Sequence, residues 1–514
     1  MHVNVMELGL GVASLGDVLA NIEQGSRISI SAKARDRLAQ ARKVVDRYTE
    51  GDEPIYGINT GLGGNVAYRI PKAEIEAFQV QMIRGRCIGV GEPFPESTAR
   101  AMFLCRLISL AQGGSGISPS VFELMVAMFN AGITPVIPGR GSIGGGDLGL
   151  CAHIGAALIG RGDVYVGGER MPAASALKAA ELVPAKLAAK DGLAILNASA
   201  VSCGYGAIVL ANLAQTLSSS MVIAAMAGEG YAANPSIFDA RLAEARPARG
   251  QVKAAGIFRS LLQGSYLHDN GAARSIQDAL SFRVLSQIYG PALESFKLAV
   301  ESVATEINGA ADNPLVLTQD DLILSTANFH TPDIALCFDV LAIVNTQLAT
   351  ASTYRTIKMM NAQLSGLPKY LSPIGGASNG FNSMQKTLSA LHGEVRLKAL
   401  PASTDSIPVS ETVEDHAPQT PLAIRKLEEQ IVPLRLIFAI EALVAAQAVD
   451  MRSRPRLAPA TAILYDAIRA WIPMVNEDRE NGPDADTVAR ILADPILAKA
   501  LRVGLGDTGA FALS

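Results

Sequence analysis

The chain has 514 residues, 49% hydrophobic and 18% charged, with a net charge of −4, a mean hydropathy of +0.25 and a pI near 6.0. That length suits two or three domains or one large helical assembly, and so apolar a composition implies a large interior with further burial between subunits. The acidic balance gives no reason to expect nucleic acid as a partner.

The most apolar stretches, 208–227 and 434–449, carry Asn212, Gln215, Glu441 and Gln447. They read as buried core helices rather than membrane spans. The N-terminus has no basic-then-apolar signal pattern. Five cysteines (87, 105, 151, 203 and 337) lack CxxC spacing, and six histidines form no HxxxH or HxxE pair. The expectation is a reduced, cytoplasmic protein with no metal site.

In chain order, 12–50 predicts two helices, the second capped by Ser31. Tyr56 follows, in the Gly-punctuated segment Ile55-Tyr56-Gly57-Ile58-Asn59-Thr60-Gly61-Leu62-Gly63. Taken alone it is a packed aromatic at a turn or a functional phenol. Residues 79–93 run as a helix into Gly89-Val90-Gly91-Glu92-Pro93, with Gly85 and Arg86 just before that end. An arginine among apolar neighbours is costly unless paired, so Arg86 either makes a salt bridge or faces a polar ligand. Residues 95–131 predict a helix pair broken at 113–116.

The chain is organised around Gly139-Arg140-Gly141-Ser142-Ile143-Gly144-Gly145-Gly146-Asp147-Leu148-Gly149, six glycines in eleven residues. They lie between a β-prone run (133–138) and a helix opening at Asp147, a plausible N-cap. A phosphate loop, a structural turn and a catalytic loop all fit such a cluster. The dinucleotide version is disfavoured because Pro135 and Pro138 interrupt the strand that would lead into it. No GxxxxGK[ST] occurs. A β-prone excursion at 163–167 precedes Asn197, which reads as a helix cap or a site residue. Beyond 205 the pattern is helical, with amphipathic helices at 427–449, 460–471 and 484–501.

Several segments, in this order, resemble the histidine/phenylalanine ammonia-lyase family. Ile55–Gly63 resembles its Tyr-Gly-Ile-Asn-Thr-Gly-Phe-Gly. Ser142-Ile143-Gly144 with Asp147-Leu148 and Ala152-His153 frames its electrophile loop. Ser275-Ile276-Gln277-Asp278-Ala279-Leu280-Ser281-Phe282-Arg283 resembles its Val-Gln-Asp-x-Tyr-Ser-Leu-Arg. Glu306–Pro314, Asn328-Phe329-His330 and Gly366–Gln385 resemble further substrate-site segments, and Pro401–His416 resembles the histidine-lyase stretch ending Glu-Asp-His.

The resemblance implies a mainly α fold, a long helical bundle (206–514) with a smaller mixed α+β N-terminal part (1–205). It also implies a homotetramer whose active sites are shared between subunits, acting on a small molecule. By the same resemblance Tyr56 is the base for the substrate β-proton, Asn197 and Arg283 hold the carboxylate, and Gln277 and Asn313 line the substrate. Phe329 or Phe381 offers an aromatic face, and Glu414 faces an imidazole. Two departures stand out. The family's Ala-Ser-Gly, which cyclises to a methylidene-imidazolone, is missing: Gly145-Gly146 follow Gly144, and no serine is there to dehydrate. Leu280 replaces the family's second tyrosine. Lys386 also stands where the family is usually apolar.

Without an electrophile the amine must already be a leaving group. A quaternary trimethylammonium is one, which implies the electrophile-free branch that splits ergothioneine into thiourocanate and trimethylamine. Lys386 and Arg86 are then cations for the ring sulfur, and no cofactor is required. An ordinary ammonia-lyase and an inactive histidine-binding relative are the alternatives.

Overall fold

The computed structural model describes residues 5–23, 25–51, 53–505 and 510–514. The N-terminal part begins with a Leu15–Ala20 helix closed by a Ser14/Asp17 capping box. Next comes the Ala32–Glu50 helix, where Ser31 accepts from the Ala34 amide as expected. The helix pair is Glu96–Leu110 and Pro119–Asn130. Small sheets surround it. Ile133–Pro135, Asp163–Val166 and Glu169–Pro172 pair antiparallel, and Pro138–Arg140 pairs antiparallel with Val90–Pro93. Gly139 to Gly144 has G-x-G-x-x-G spacing, but these three-residue antiparallel strands supply no parallel β-α-β unit for a dinucleotide.

Four long helices form the core: Ala200–Tyr231, Leu285–Asn308, Pro332–Met359 and Thr420–Met451. The first, third and fourth run parallel. Thr331 meets Thr420 at one end, while Arg452 reaches the carbonyls of Gly230 and Tyr231 at the other. Leu285–Asn308 runs against them: Phe282, just ahead of it, stacks on Tyr231, and Ser302 bonds Asp333 at its other end. The expected boundary between 205 and 206 falls inside the Ala200–Tyr231 helix, so both parts share one helix and one core.

Among the described residues three helical stretches could cross a membrane by length and composition, but 94%, 67% and 83% of their apolar windows are buried within the chain. The middle value belongs to Pro332–Met359, which leaves Leu336, Val340 and Ile343 exposed at helical spacing. Inside the bundle Arg355 grips Glu441 through two nitrogens, at 2.5 and 2.9 Å, both side chains fully buried. The predicted 484–501 helix is two helices, Asn481–Ala493 and Pro495–Gly504. Pro495 cannot donate to the preceding turn and disfavours a helical Asp494.

Candidate active site

Tertiary contacts shape the Gly-rich loop. Gly144 has φ +83°, and a Cβ there would lie 2.7 Å from the Thr420 amide nitrogen; at Gly146, with φ +72°, it would lie 2.8 Å from Leu148. Only glycine fits both positions. The Gly146 amide donates to the Phe329 carbonyl (3.2 Å), the Asp147 amide to the Ala198 carbonyl (2.8 Å), and Gly145 bridges to His330. Asp147 stands at the N-cap position of Leu148–Leu158 but does not cap it with its side chain. Its buried carboxylate instead accepts from Ser142 Oγ (2.6 Å) and from the amide (2.7 Å) and hydroxyl of Ser202. It therefore caps the Ala200–Tyr231 helix and locks the loop to it. Burial raises its pKa, and these donors oppose the shift.

Tyr56 lies against this end of the molecule. Gly57, at φ +67°, is pressed on Leu193, in the helix leading to Asn197. The Gly63 amide donates to Tyr56 Oη (3.2 Å). Segment 401–416 folds over this turn. Ser410 Oγ donates to Glu414 Oε1 (2.8 Å), and a Cβ on Gly63 would sit 3.3 Å from Ser410 and 3.8 Å from Glu414. Arg86 ends the Ile75–Arg86 helix. Burial lowers its pKa, while Tyr56 and Glu414, facing it, raise it. The half-buried guanidinium thus has both a phenol and a carboxylate near it.

Asn197 is buried and caps the Asp191–Leu196 helix C-terminally. Its Nδ2 donates to the Asn313 carbonyl (2.8 Å), and its Oδ1 is 3.5 Å from a Cβ built on Gly146. Asn313 Oδ1 accepts from the Thr326 amide (3.0 Å). Phe329, half-buried, supplies the carbonyl that holds Gly146 and Ser199. Tyr56, Arg86, Asn197, Asn313, Phe329, Glu414 and Gly144–Gly146 thus gather at one end. The helices starting at Leu148, Ala200, Pro332 and Thr420 also begin there. Their N-terminal dipoles favour negative charge.

The remaining predicted residues lie at the other end. Arg283 follows Phe282, which stacks on Tyr231, and Gln277 precedes Asp278, which accepts from the Asn234 amide. Lys386 is exposed near the start of the Met384–Leu397 helix. Leu371, close before it, is bonded by Gln447 near the end of Thr420–Met451. Thirty-two helical residues at 1.5 Å each put roughly 45 Å between the two groups. Phe381 is fully buried in the core and offers no face to a ligand, which leaves Phe329 as the aromatic beside the loop.

Sequence reading missed the pairing of His330 Nε2 with His416 Nδ1 at 2.7 Å. Both lay in recognised segments 86 residues apart, and nothing local signals the contact. It also missed the fully buried Arg106 and Lys190, which approach Asp312 at 3.1 and 3.6 Å beneath Asn313.

The aromatic amino acid lyase profile matches residues 13–470. A histidine ammonia-lyase of Symbiobacterium thermophilum is 36% identical over 505 residues, covering 98% of this chain and 99% of its own length. Among solved structures, ergothionase from Treponema denticola, bound to desmethyl-ergothioneine sulfonic acid, superposes with a TM-score of 0.93 at 32% identity, over 97% of this chain and all of that one. Histidine ammonia-lyase from Trypanosoma cruzi superposes with a TM-score of 0.89 at 30% identity, over 99% of this chain and 97% of that one. With a profile match over most of its length and full-length relatives above 30% identity, this chain belongs to the aromatic amino acid lyase family.

Proposed function

We propose that this carbon–nitrogen lyase eliminates trimethylamine from a histidine-derived betaine, ergothioneine, giving thiourocanate. The observation that carries the reading is Gly144-Gly145-Gly146. The family's electrophile needs a serine followed by glycine, with the serine hydroxyl lost as water. These residues do not fit it. The nearest serine, Ser142, is followed by Ile143 and committed to Asp147. No step is therefore routed through such a group.

An α-trimethylammonium needs no activation. Tyr56, as phenolate, takes the β-proton. The C–H electron pair forms the α,β double bond, the C–N bond breaks, and neutral trimethylamine leaves with its electron pair. Charges balance: phenolate and cationic nitrogen become phenol and neutral amine, and the carboxylate is unchanged. Arg86 stands by Tyr56 and Glu414, and Glu414 orients the substrate ring from across the pocket. Asn197 lies beside the loop with Asn313 behind it, and Phe329 offers its face to the trimethylammonium. Arg283, with its planar fork, holds the carboxylate; Gln277 and Lys386 complete the pocket, with Lys386 toward sulfur. The last three come from neighbouring copies in a homotetramer. Two observations support this: the distance separating them from Tyr56 within one chain, and the exposed Leu336/Val340/Ile343 stripe. The fold likeness to the Treponema denticola ergothionase supports the substrate. The histidine ammonia-lyase relatives favour a second reading, ammonia release from histidine.

The test is an absorbance time course with ergothioneine and histidine in parallel, with trimethylamine assayed. Trimethylamine and a new long-wavelength band from ergothioneine alone are expected. Urocanate from histidine would replace the proposal with the second reading.

A further inference from the structure

Among the described residues, Lys386 makes no ion pair that would fix its helix from the ammonium side. The lead-in to that helix is instead held from across a groove, by a part of the chain beyond the matched family residues 13–470. The segment leading into Met384–Leu397 has glycine at 375, 376 and 380, and Ser383 gives the helix no side-chain cap. Left to itself, such a lead-in would fray.

Asp478 closes it. One carboxylate oxygen accepts from Ser378 Oγ (2.6 Å) and the Gly380 amide (2.8 Å); the other accepts from the Asn379 amide (2.7 Å). Asn481 Nδ2 adds a bond to the Gly380 carbonyl (3.2 Å). The donors hold the Asp478 carboxyl below its usual range. Gly380 accepts this posture only as glycine: φ is +52°, and a Cβ would meet the Tyr370 carbonyl at 2.5 Å. Asn379 Nδ2 then reaches Ser383 Oγ (2.8 Å), and the Lys386 amide donates to the Ser383 carbonyl. An unbroken line of bonds thus runs from Asp478 to the backbone of Lys386.

Asp478 is itself rigidly presented. Fully buried Gln447 exchanges two bonds with Val475, at 2.8 and 2.9 Å. Arg479 ties Asp484 to the Pro473 carbonyl. Gln447 also reaches the Leu371 carbonyl, so one core side chain ties the backbone at 371 to that at 475.

We propose that Asp478 is a positioning residue: it fixes 378–380 and so aims the start of the Met384–Leu397 helix, placing Lys386 for the substrate sulfur. The inference rests on the proposed role of Lys386. It assigns to the C-terminal segment a part in choosing between betaines with and without a ring sulfur.

The experiment compares full-length wild type, Asp478→Asn, Lys386→Met and the double variant, with Glu477→Gln as an exposed neighbouring control. Asparagine keeps the shape but turns one acceptor into a donor facing an N–H or O–H. In Asp478→Asn, hydrogen exchange at the Asn379 and Gly380 amides is expected to speed up while the bundle stays protected. Turnover of ergothioneine should fall on the order of 10- to 100-fold in kcat/KM. The thiol-free betaine hercynine should change little, and the loss should vanish in the Lys386→Met background. Unchanged exchange at 379 and 380 overturns the proposal whatever the substrate proves to be. Equal losses on both betaines, or a loss persisting without Lys386, reduce Asp478 to a purely structural role. If Lys386→Met keeps wild-type turnover, the reading of Lys386 fails, and the positioning claim fails with it. Wild type silent toward ergothioneine would refute the substrate instead, with the exchange result still deciding whether Asp478 holds the segment.

Discussion

A tyrosine accepts a proton only through its oxygen, so what stands around that oxygen decides its role. Around Tyr56 stand the Gly63 amide, which donates to the phenolic oxygen, and Arg86, near both Tyr56 and Glu414. Tyr56→Phe keeps the ring and removes the oxygen. It should lower kcat by at least about 10³-fold while ligand binding measured by calorimetry stays near wild type; retained turnover would remove Tyr56 as base. His330 is a second residue-level case. Burial, then His416, lowers its pKa below 6.5. A group that binds protons less readily when folded stabilises fully above its unfolded pKa and loses that contribution as pH falls through its folded value. Two protonated rings cannot share the 2.7 Å contact. Wild type should therefore lose melting temperature as pH drops below about 6.5, and His330→Asn should show a flatter profile. Parallel curves would mean that this pair does not report on pH.

Among elements, polar clamps fix the register of the bundle. Arg355 and Ser352 of Pro332–Met359 meet Glu441 of Thr420–Met451, and Asn345 meets Gln430. Apolar faces of long parallel helices can slide by a turn at little cost, whereas a bidentate arginine cannot. Glu441→Gln strands the Arg355 charge in the core and should cost about 3–5 kcal/mol, read as a lower denaturant midpoint at unchanged slope. A loss under about 1 kcal/mol would mean that the pair is dispensable. The same register brings the starts of Pro332–Met359 and Thr420–Met451 together at Thr331 and Thr420, where Gly144 packs. The clamp thus contributes to the geometry of the site as well as to stability.

At the scale of the whole molecule, the proposed site residues of one chain fall into two groups. Tyr56, Asn197 and Glu414 lie at one end of the Ala200–Tyr231 helix, Arg283 and Lys386 toward the other. If copies pack side by side in opposite directions, each pocket takes its halves from different chains. Tyr56→Phe and Arg283→Ala should then both be inactive alone, yet recover part of wild-type turnover when unfolded together and refolded as mixed oligomers. A mixture as inactive as its components would argue that each site is built within one chain.

Much of this was legible in the residues themselves. The Ser31 cap, the helix pair broken at 113–116, the buried apolar helices and the Tyr56 and Gly-rich turns follow from short-range rules of backbone sterics, capping and periodicity. The missing serine at 144–146 likewise needs no structure to be seen. What lay outside the sequence depends on contacts between residues far apart in the chain. Asp147 offered itself as the cap of its own helix but caps another, because Ser202 lies closer to its carboxylate than its own first turn does. Phe381 looked available and is core, because its segment is pulled against Tyr370. Glu414 stands far from Gly63 and Arg86 in the chain, and only the fold of 401–416 over Gly63 brings them together. Local chemistry determined which groups this protein owns, and long-range packing decided which of them meet.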